Sequence, residues 1–364
     1  MRIIGLMSGT SLDGVDAALV AFDGNGQPTL QGFHSLPYPP DLRRALAAID
    51  AGTPLGEALA MDAQLSAIYA QAVATLCAQT QTTAATIDAI GVHGQTVIHA
   101  PRATPPVTCQ LGDPSRLAEQ TGIAVVADFR QRDLAVGGEG APLAPLFHAA
   151  LFGADHPRGV VNLGGIANLS VLGAGGRILS GFDCGPANTL LDGWIQRHHN
   201  QPFDHEGAWA ASGRVDHALL ARLQSDAFFT RPAPKSTGTD YFNSAWLETH
   251  LRGDEAPVDV QATLAELTAW AIASAVTQAN PEMLDLIITG GGAYNRDLMA
   301  RIAAALPTIA VRDTADEGLP AEAIEAVGFA WLAWATLNGQ ALDLSAITGA
   351  STPVILGGIY PRSR

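Results

Sequence analysis

Ile3-Ile-Gly-Leu-Met-Ser-Gly-Thr-Ser-Leu-Asp-Gly-Val-Asp-Ala-Ala-Leu-Val20 is the stretch on which the reading of this chain turns. Residues 3–7 and 15–20 are apolar runs of strand length, and residues 8–14 between them read as a turn. Gly9 and Gly14 permit tight backbone geometry and close approach of a ligand. Thr10 and Ser11 bring hydroxyls there, and Asp13 and Asp16 bring carboxylates. A strand–turn–strand of this kind can hold a phosphate on amides and hydroxyls and a hard cation on aspartates. A single copy would read first as an ordinary β-hairpin.

The chain carries a second copy and a third related turn. Val160-Val-Asn-Leu-Gly-Gly-Ile-Ala-Asn-Leu-Ser-Val-Leu172 gives a strand over 159–163, a Gly164-Gly165 turn and a strand over 168–172. In Leu286-Ile-Ile-Thr-Gly-Gly-Gly-Ala-Tyr-Asn-Arg-Asp-Leu-Met299 a buried-type strand ends in three glycines, and a helix begins near Asn295, a good N-cap residue. Each turn alone is a weak signal. The ordered set is a strong one.

Composition narrows the partners. At 364 residues there is room for two domains, each with its own core. Hydrophobic residues at 48% and charged residues at 15% argue against a disordered chain. Thirty-five acidic against 20 basic residues leave a charge of −15, the wrong sign for nucleic acid or an anionic membrane. The same field repels ATP, so a phosphate site here must use local amides, a bound cation and a few arginines. Cys77, Cys109 and Cys184 form no short-spaced pair, which fits a reducing cytoplasm and no cysteine zinc site. Residues 3–7 are too short for a signal-peptide core and no later run reaches membrane-spanning length, so a soluble cytoplasmic protein is expected. Lys235 is the only lysine among the 20 basic residues. Coding bias is the bland explanation; a task needing a compact ammonium is the other.

Further strands are expected at 29–35, 89–92 and 123–127, and helices at 41–50 and 54–79. The second half repeats the plan, with three strands within 160–183 and helices over 186–198, 260–279, 295–306 and 321–337. Residues 128–142 are polar, glycine-rich and long for a connection, as functional or mobile loops are. The two glycine hairpins look like one unit duplicated. An α/β fold of two domains around mixed sheets follows, with a cleft between them.

Gly181-Phe-Asp-Cys-Gly-Pro-Ala-Asn188 ends a strand, and Pro186 suits the first position of a helix. Asp183 then falls where α/β sheets bind ligands, and could take a proton from a bound nucleophile; a capping aspartate is its ordinary alternative. Arg130 could clamp a substrate carboxylate or pair with Asp128 or Asp133. His93 and Gln95 are placed to bond a polar ligand, although a lone histidine is more often a satisfied structural residue. Glu325 lies on a helix with Ile324, Val327, Trp331 and Trp334 as packed face, where a solvated glutamate is the default. The histidines of residues 198–206 have no metal-ligand spacing and read as a polar loop. Neither Gly-x4-Gly-Lys-Ser/Thr nor Gly-x-Gly-x-x-Gly follows a strand, so any nucleotide uses another cradle.

The ordered turns resemble the superfamily of sugar kinases, actin and heat-shock ATPases, whose domains are duplicated, actin-like and ribonuclease H-like. More narrowly, the whole chain resembles the bacterial anhydro-N-acetylmuramic acid kinases. The resemblance is carried by residues 6–16, Val92-His-Gly-Gln-Thr96, Asp128-Phe-Arg130, Gly137-Gly-Glu-Gly-Ala-Pro-Leu143, Asn162-Leu-Gly-Gly-Ile-Ala-Asn168, Gly181-Phe-Asp-Cys-Gly-Pro186, Pro234-Lys-Ser-Thr-Gly238, Gly290-Gly-Gly-Ala-Tyr-Asn295 and Gly328-Phe-Ala-Trp331. It implies that water opens the 1,6-anhydro ring of anhydro-N-acetylmuramate while ATP phosphorylates the released O6, giving N-acetylmuramate 6-phosphate for cell-wall recycling. It implies that Gly9, Thr10, Ser11, Leu12, Asp13, Gly14, Val15 and Asp16 hold the ATP phosphates, with Asp13 toward Mg²⁺. Gly164, Gly165, Gly290, Gly291, Gly292 and Asn295 complete the nucleotide site. Asp183 is the implied base on water, assisted by Glu325; Arg130, His93 and Gln95 meet the sugar. Domains over 1–130 and 131–364 are expected, the C-terminal tail being a candidate to pack back on the first, and a homodimer is expected.

Three positions depart from the family pattern: Glu139 for glutamine, Cys184 for threonine, and Thr239-Asp240 for an Arg-Glu pair. Cys184 beside the base suggests inactivation by thiol alkylation. Two other readings stay open at this level: an ordinary kinase of an intact sugar or sugar acid, and an actin-like ATP-binding assembly protein.

Overall fold

The computed structural model describes residues 1–9, 11–50 and 52–363. They form two compact units, Met1–Leu151 with Ala323–Arg364, and Phe152–Glu322. The units divide at 151/152 and 322/323 rather than at the expected 130/131. The reason lies in the packing of residues 131–151: Asp133, fully buried, accepts hydrogen bonds from Gly140 N at 2.6 Å and Thr348 Oγ1 at 2.8 Å. That ties the glycine-rich loop to the C-terminal segment of the same unit.

In chain order the strands are β1 (Arg2–Met7), β2 (Gly14–Phe22), β3 (Pro28–Pro37), β4 (Ala89–Val92), β5 (Gln95–Ala100), β6 (Val107–Leu111) and β7 (Val125–Ala127). The second unit contributes β8 (Arg158–Leu163), β9 (Ile166–Leu172), β10 (Ile178–Pro186), β11 (Asp285–Thr289) and β12 (Ala310–Asp313). The chain closes with β13 (Gly358–Tyr360).

The sheets share one plan. In the first unit the order is β13-β7-β4-β1-β2-β3, with β1, β2 and β3 antiparallel and β4 and β7 added in parallel. The second unit gives β10-β9-β8-β11-β12, again three antiparallel strands and then two in parallel. Parallel neighbours need helical crossovers, and both units supply them. The first unit adds β13, antiparallel to β7, and the separate hairpin β5-β6.

Burial explains which runs became strands. Ile4, Leu6, Val15, Ala17, Leu19, Ile90 and Val92 share a core with Leu65, Tyr69, Val73 and Leu76 of the helix Leu55–Gln79. The opposite face is covered by the helix Ile324–Leu337, apolar around most of its surface. It lies so close that a Cβ on Gly5 would collide with Ala326 O and one on Gly91 with Phe329 O. Those two glycines therefore set the height of the helix whose first turn carries Glu325. At the start of β11 in the second unit, buried Asp285 takes Arg158 Nε at 2.9 Å and Nη2 at 2.7 Å, locking β11 to β8. Its pKa is held below the usual range by Arg158, His156 and Arg312 despite burial.

Candidate active site

Each unit presents its own cluster. In the first unit the turn between β1 and β2 spans residues 8–13, because Gly14, Val15 and Asp16 already pair within β2. Val15 is core, with its side chain 1% exposed. Thr10 lies outside the described residues. The turn is held from behind by buried polar groups: Ser8 Oγ lies 2.6 Å from Tyr69 OH, and Leu12 N donates to Gly9 O at 3.2 Å. Leu12 sits at φ +56°, and Tyr38 N donates to Asp13 O at 3.0 Å. Ser11 Oγ donates to Asp13 Oδ1 at 2.7 Å, leaving Asp13 exposed at the mouth of the turn.

Gln95 is fully buried and committed at both ends. Its Nε2 donates to Gly9 O at 3.0 Å and its Oε1 accepts from Tyr38 OH at 3.3 Å. His93 is similarly engaged: Nδ1 lies 3.2 Å from Ser8 O, and Nε2 lies 2.8 Å from Arg130 Nη2 and 3.2 Å from Arg130 Nε. Burial and the neighbouring guanidinium push the imidazole down to about 3, so it is neutral. With Nε2 accepting from Arg130, the neutral ring carries its proton on Nδ1 and donates it to Ser8 O. Both side chains thus support the turn, and His93 also supports Arg130. Both ring nitrogens of His93 are engaged inside the protein, and Gln95 is held there by one donor and one acceptor.

Arg130 is fixed by that ring and by its own Nη1, which donates to Gly140 O at 2.7 Å. Burial lowers it to about 10, opposed by Glu325 and Asp133, so it remains a cation at neutral pH. Glu325, on the first turn of its helix, is not the solvated glutamate of the default reading. It is only partly exposed, and burial together with Asp16 and Asp13 raises it to about 7, against the pull of Arg130. Asp13, Asp16 and Glu325 are an all-oxygen set suited to a hard cation. No three metal-ligating side chains form a ready-made site among the described residues. The oxygen chemistry of the three carboxylates would suit Mg²⁺, which usually takes most of its ligands from phosphate and water.

In the second unit Asp183 lies within β10, at an irregularity between Asp183 and Gly185, rather than after the strand. Pro186 pairs with Ile166 as the end of β10, and the helix begins at Asn188. Gly185, at φ +152°, leaves no room for a Cβ beside the Phe229 ring. Such bulges re-aim side chains next to functional sites. Asp183 Oδ1 accepts from Asn168 Nδ2 of β9, and Oδ2 accepts from Thr237 N at 2.8 Å. Burial raises its pKa and these two donors lower it, the net direction being upward.

The Gly164-Gly165 turn is wired to the start of the helix Asn188–His199. Asn188 N donates to Gly164 O at 3.0 Å, and Ala187 N and Thr189 N donate to Gly165 O at 2.9 and 3.1 Å. Gly290, Gly291 and Gly292 open a 3₁₀ turn after β11, where Gly291 is exposed with open space at its Cα. Asn295 caps the helix Arg296–Ala305, its Oδ1 accepting from Leu298 N at 3.0 Å.

The departing residues are accounted for in part. Glu139 is paired with Arg102 Nε at 3.0 Å, which offsets its charge. The Thr239 methyl approaches Gly165. Cys184 corrects the alkylation expectation: it is 1% exposed, and burial and Asp183 push its thiol up, so it is neither reachable nor reactive. The sequence reading did not place Asn168, Thr237 or Lys235 at the carboxylate, although all three stand in motifs it quotes.

Paired glycine turns on duplicated mixed sheets, an aspartate clamped by two donors and an acidic set beside an arginine define a kinase of the two-domain actin-like ATPase fold. A solved structure of the activator of the 2-hydroxyisocaproyl-CoA dehydratase from Clostridium difficile, with bound ADPNP, shares that fold. Its TM-score is 0.52 over 92% of this chain and 94% of that chain, at 13% identity. The family profile for anhydro-N-acetylmuramic acid kinase matches residues 1–362, and the chain belongs to that family. A relative from Chromohalobacter salexigens, named anhydro-N-acetylmuramic acid kinase, is 50% identical over 98% of each chain. One of the same name from Xanthomonas campestris pv. campestris (strain 8004) is 48% identical over 98% of this chain and 97% of its own.

Proposed function

We propose that this enzyme uses ATP and water to convert 1,6-anhydro-N-acetylmuramate to N-acetylmuramate 6-phosphate and ADP. The observation that carries the reading is Asp183: a half-buried carboxylate with each oxygen already oriented by one donor, ready to take a proton from water. Attack at the anomeric carbon passes through an oxocarbenium-like state, so a carboxylate-activated water on one face is the chemistry required. On the other face the bridge oxygen departs and attacks the γ-phosphorus of ATP in line. The C1–O6 bond breaks as the O6–P bond forms; the water proton goes to Asp183 and ADP leaves.

Residues 9, 11–14 and 16 receive the phosphates, together with Thr10, Gly164, Gly165, Gly290, Gly291 and Gly292. Asn295 contributes by shaping the turn, and Val15 by anchoring it in the core. Asp13 would hold Mg²⁺, which when bound would neutralise phosphate charge that the protein's −15 otherwise repels. Arg130 binds the lactyl carboxylate or a sugar oxygen, with His93 and Gln95 acting behind it. Glu325 assists at the phosphate end, where a carboxyl near 7 can hold or release a proton. The enzyme works as a cytoplasmic homodimer in cell-wall sugar recycling.

The test is substrate preference. Purified protein with Mg-ATP should phosphorylate the anhydro sugar, with phosphorus–proton NMR placing phosphate on carbon six, and should turn over ring-opened N-acetylmuramate poorly. Preference for the ring-opened sugar would instead mark an ordinary sugar kinase.

A further inference from the structure

The only lysine of the chain lies two residues before the amide that clamps Asp183. Its Nζ donates to Phe228 O at 3.2 Å and Phe229 O at 3.3 Å, in the last turn of the helix Ala227–Thr230, and rests 4.5 Å from the centre of the Phe228 ring. Phe228 is 1% exposed and packs edge-on against Phe242 at 5.4 Å and Phe229 at 5.6 Å, so the anchor is rigid. From this anchor the main chain runs beside β10. Lys235 O accepts from Asp183 N at 2.9 Å, and two residues on Thr237 N reaches Asp183 Oδ2. Backbone and side chain of the base are both held by one three-residue strap.

We infer that Lys235 is a positioning residue: its ammonium, tied to the end of the helix Ala227–Thr230, holds residues 235–237 in the register that orients Asp183. This rests on the reading of Asp183 as the base. A cation is favoured by the two carbonyls at a helix end and by the ring face beneath. A compact ammonium can meet both carbonyls while lying over the ring, whereas a planar guanidinium presents a broader fork. That explains a lysine kept where the rest of the chain uses arginine. Burial holds the ammonium below its usual range; Cys184 opposes that and Arg231 adds to it. The amide of Thr237 favours ionised Asp183. A loosened strap therefore leaves the base harder to ionise as well as misaimed.

The experiment compares wild type, K235M, K235Q and D183N in the full chain. It reads kcat, KM for both substrates and the acidic limb of the kcat–pH profile. K235M is expected to lose about 10–100-fold in kcat, the scale of a misplaced catalytic group, with both KM values nearly unchanged. Its acidic limb moves to higher pH. K235Q, which can still donate to the carbonyls, shows a smaller loss and shift in the same direction, and carries the test alone if K235M does not fold. Wild-type kcat and limb in both variants would overturn the inference. A lower kcat with an unmoved limb would also overturn it, because general loosening of the fold does that. If D183N keeps wild-type kcat, the base assignment fails instead, which separates the two outcomes.

Discussion

The two units each hold one carboxylate to which the proposed reaction gives a role; burial raises both, but only one of them is opposed by hydrogen bonds. Asp183 is raised by burial, but Asn168 and Thr237 spend hydrogen bonds on its ionised form. Glu325 is raised by burial and raised again by Asp16 and Asp13, with only the charge of Arg130 against them, and reaches about 7. The first is an acceptor kept ready to take a proton. The second is poised to carry one. Environments that set paired carboxyls apart assign acid and base roles in other enzymes, and the proposed mechanism applies the same logic here.

Removing the clamped carboxylate should have the largest effect. Asp183→Asn is expected to lower kcat by ~10²–10⁴ while KM for ATP changes little, read by steady-state kinetics. Next comes the cation beside Glu325. Arg130→Gln should raise the KM of the acidic sugar by ~10–100-fold, the range of one charge-assisted hydrogen bond. His93→Leu should show a fraction of that, ~3–10-fold, because it removes support rather than the contact. An effect of His93→Leu larger than that of Arg130→Gln would mean that the imidazole itself meets the substrate.

Glu325 offers a subtler test through stability. A carboxyl whose folded pKa is raised favours folding while protonated in both states, below its ordinary 4.5. That contribution is lost as pH rises through about 7. Glu325→Gln should therefore stabilise the fold by ~1–3 kcal/mol at pH 8 and by almost nothing at pH 4. Thermal melts at the two pH values check it. Equal gains at both would show that the glutamate is not perturbed.

Much of this was legible in the sequence, and the gaps have physical causes. Strand-length apolar runs around glycines located β1, β2, β8 and β9, because continuously buried strands leave a local trace. Asn295 announced its helix by being a good cap. Pro186 misled: proline is tolerated at a helix start and equally at the end of a strand, and β10 continues through a bulge that no local pattern reveals. The support that His93 and Gln95 give the turn leaves no local trace, because their partners, Ser8 and Gly9, lie 85 and 86 residues away. Glu325 looked solvated because its perturbing aspartates sit on another element. Lys235 stands out in the sequence as the sole lysine, a candidate for a task needing a compact ammonium, but its anchor depends on the helix Ala227–Thr230.

The central claim is that water enters the product under the control of Asp183. The direct measurement is mass spectrometry of the sugar phosphate formed from the anhydro sugar and Mg-ATP in ¹⁸O-water, with a control for anomeric exchange. One ¹⁸O at the anomeric carbon together with phosphate on carbon six, both lost in Asp183→Asn, is the result this account expects. Phosphorylation of the sugar with no ¹⁸O beyond the exchange control would contradict it.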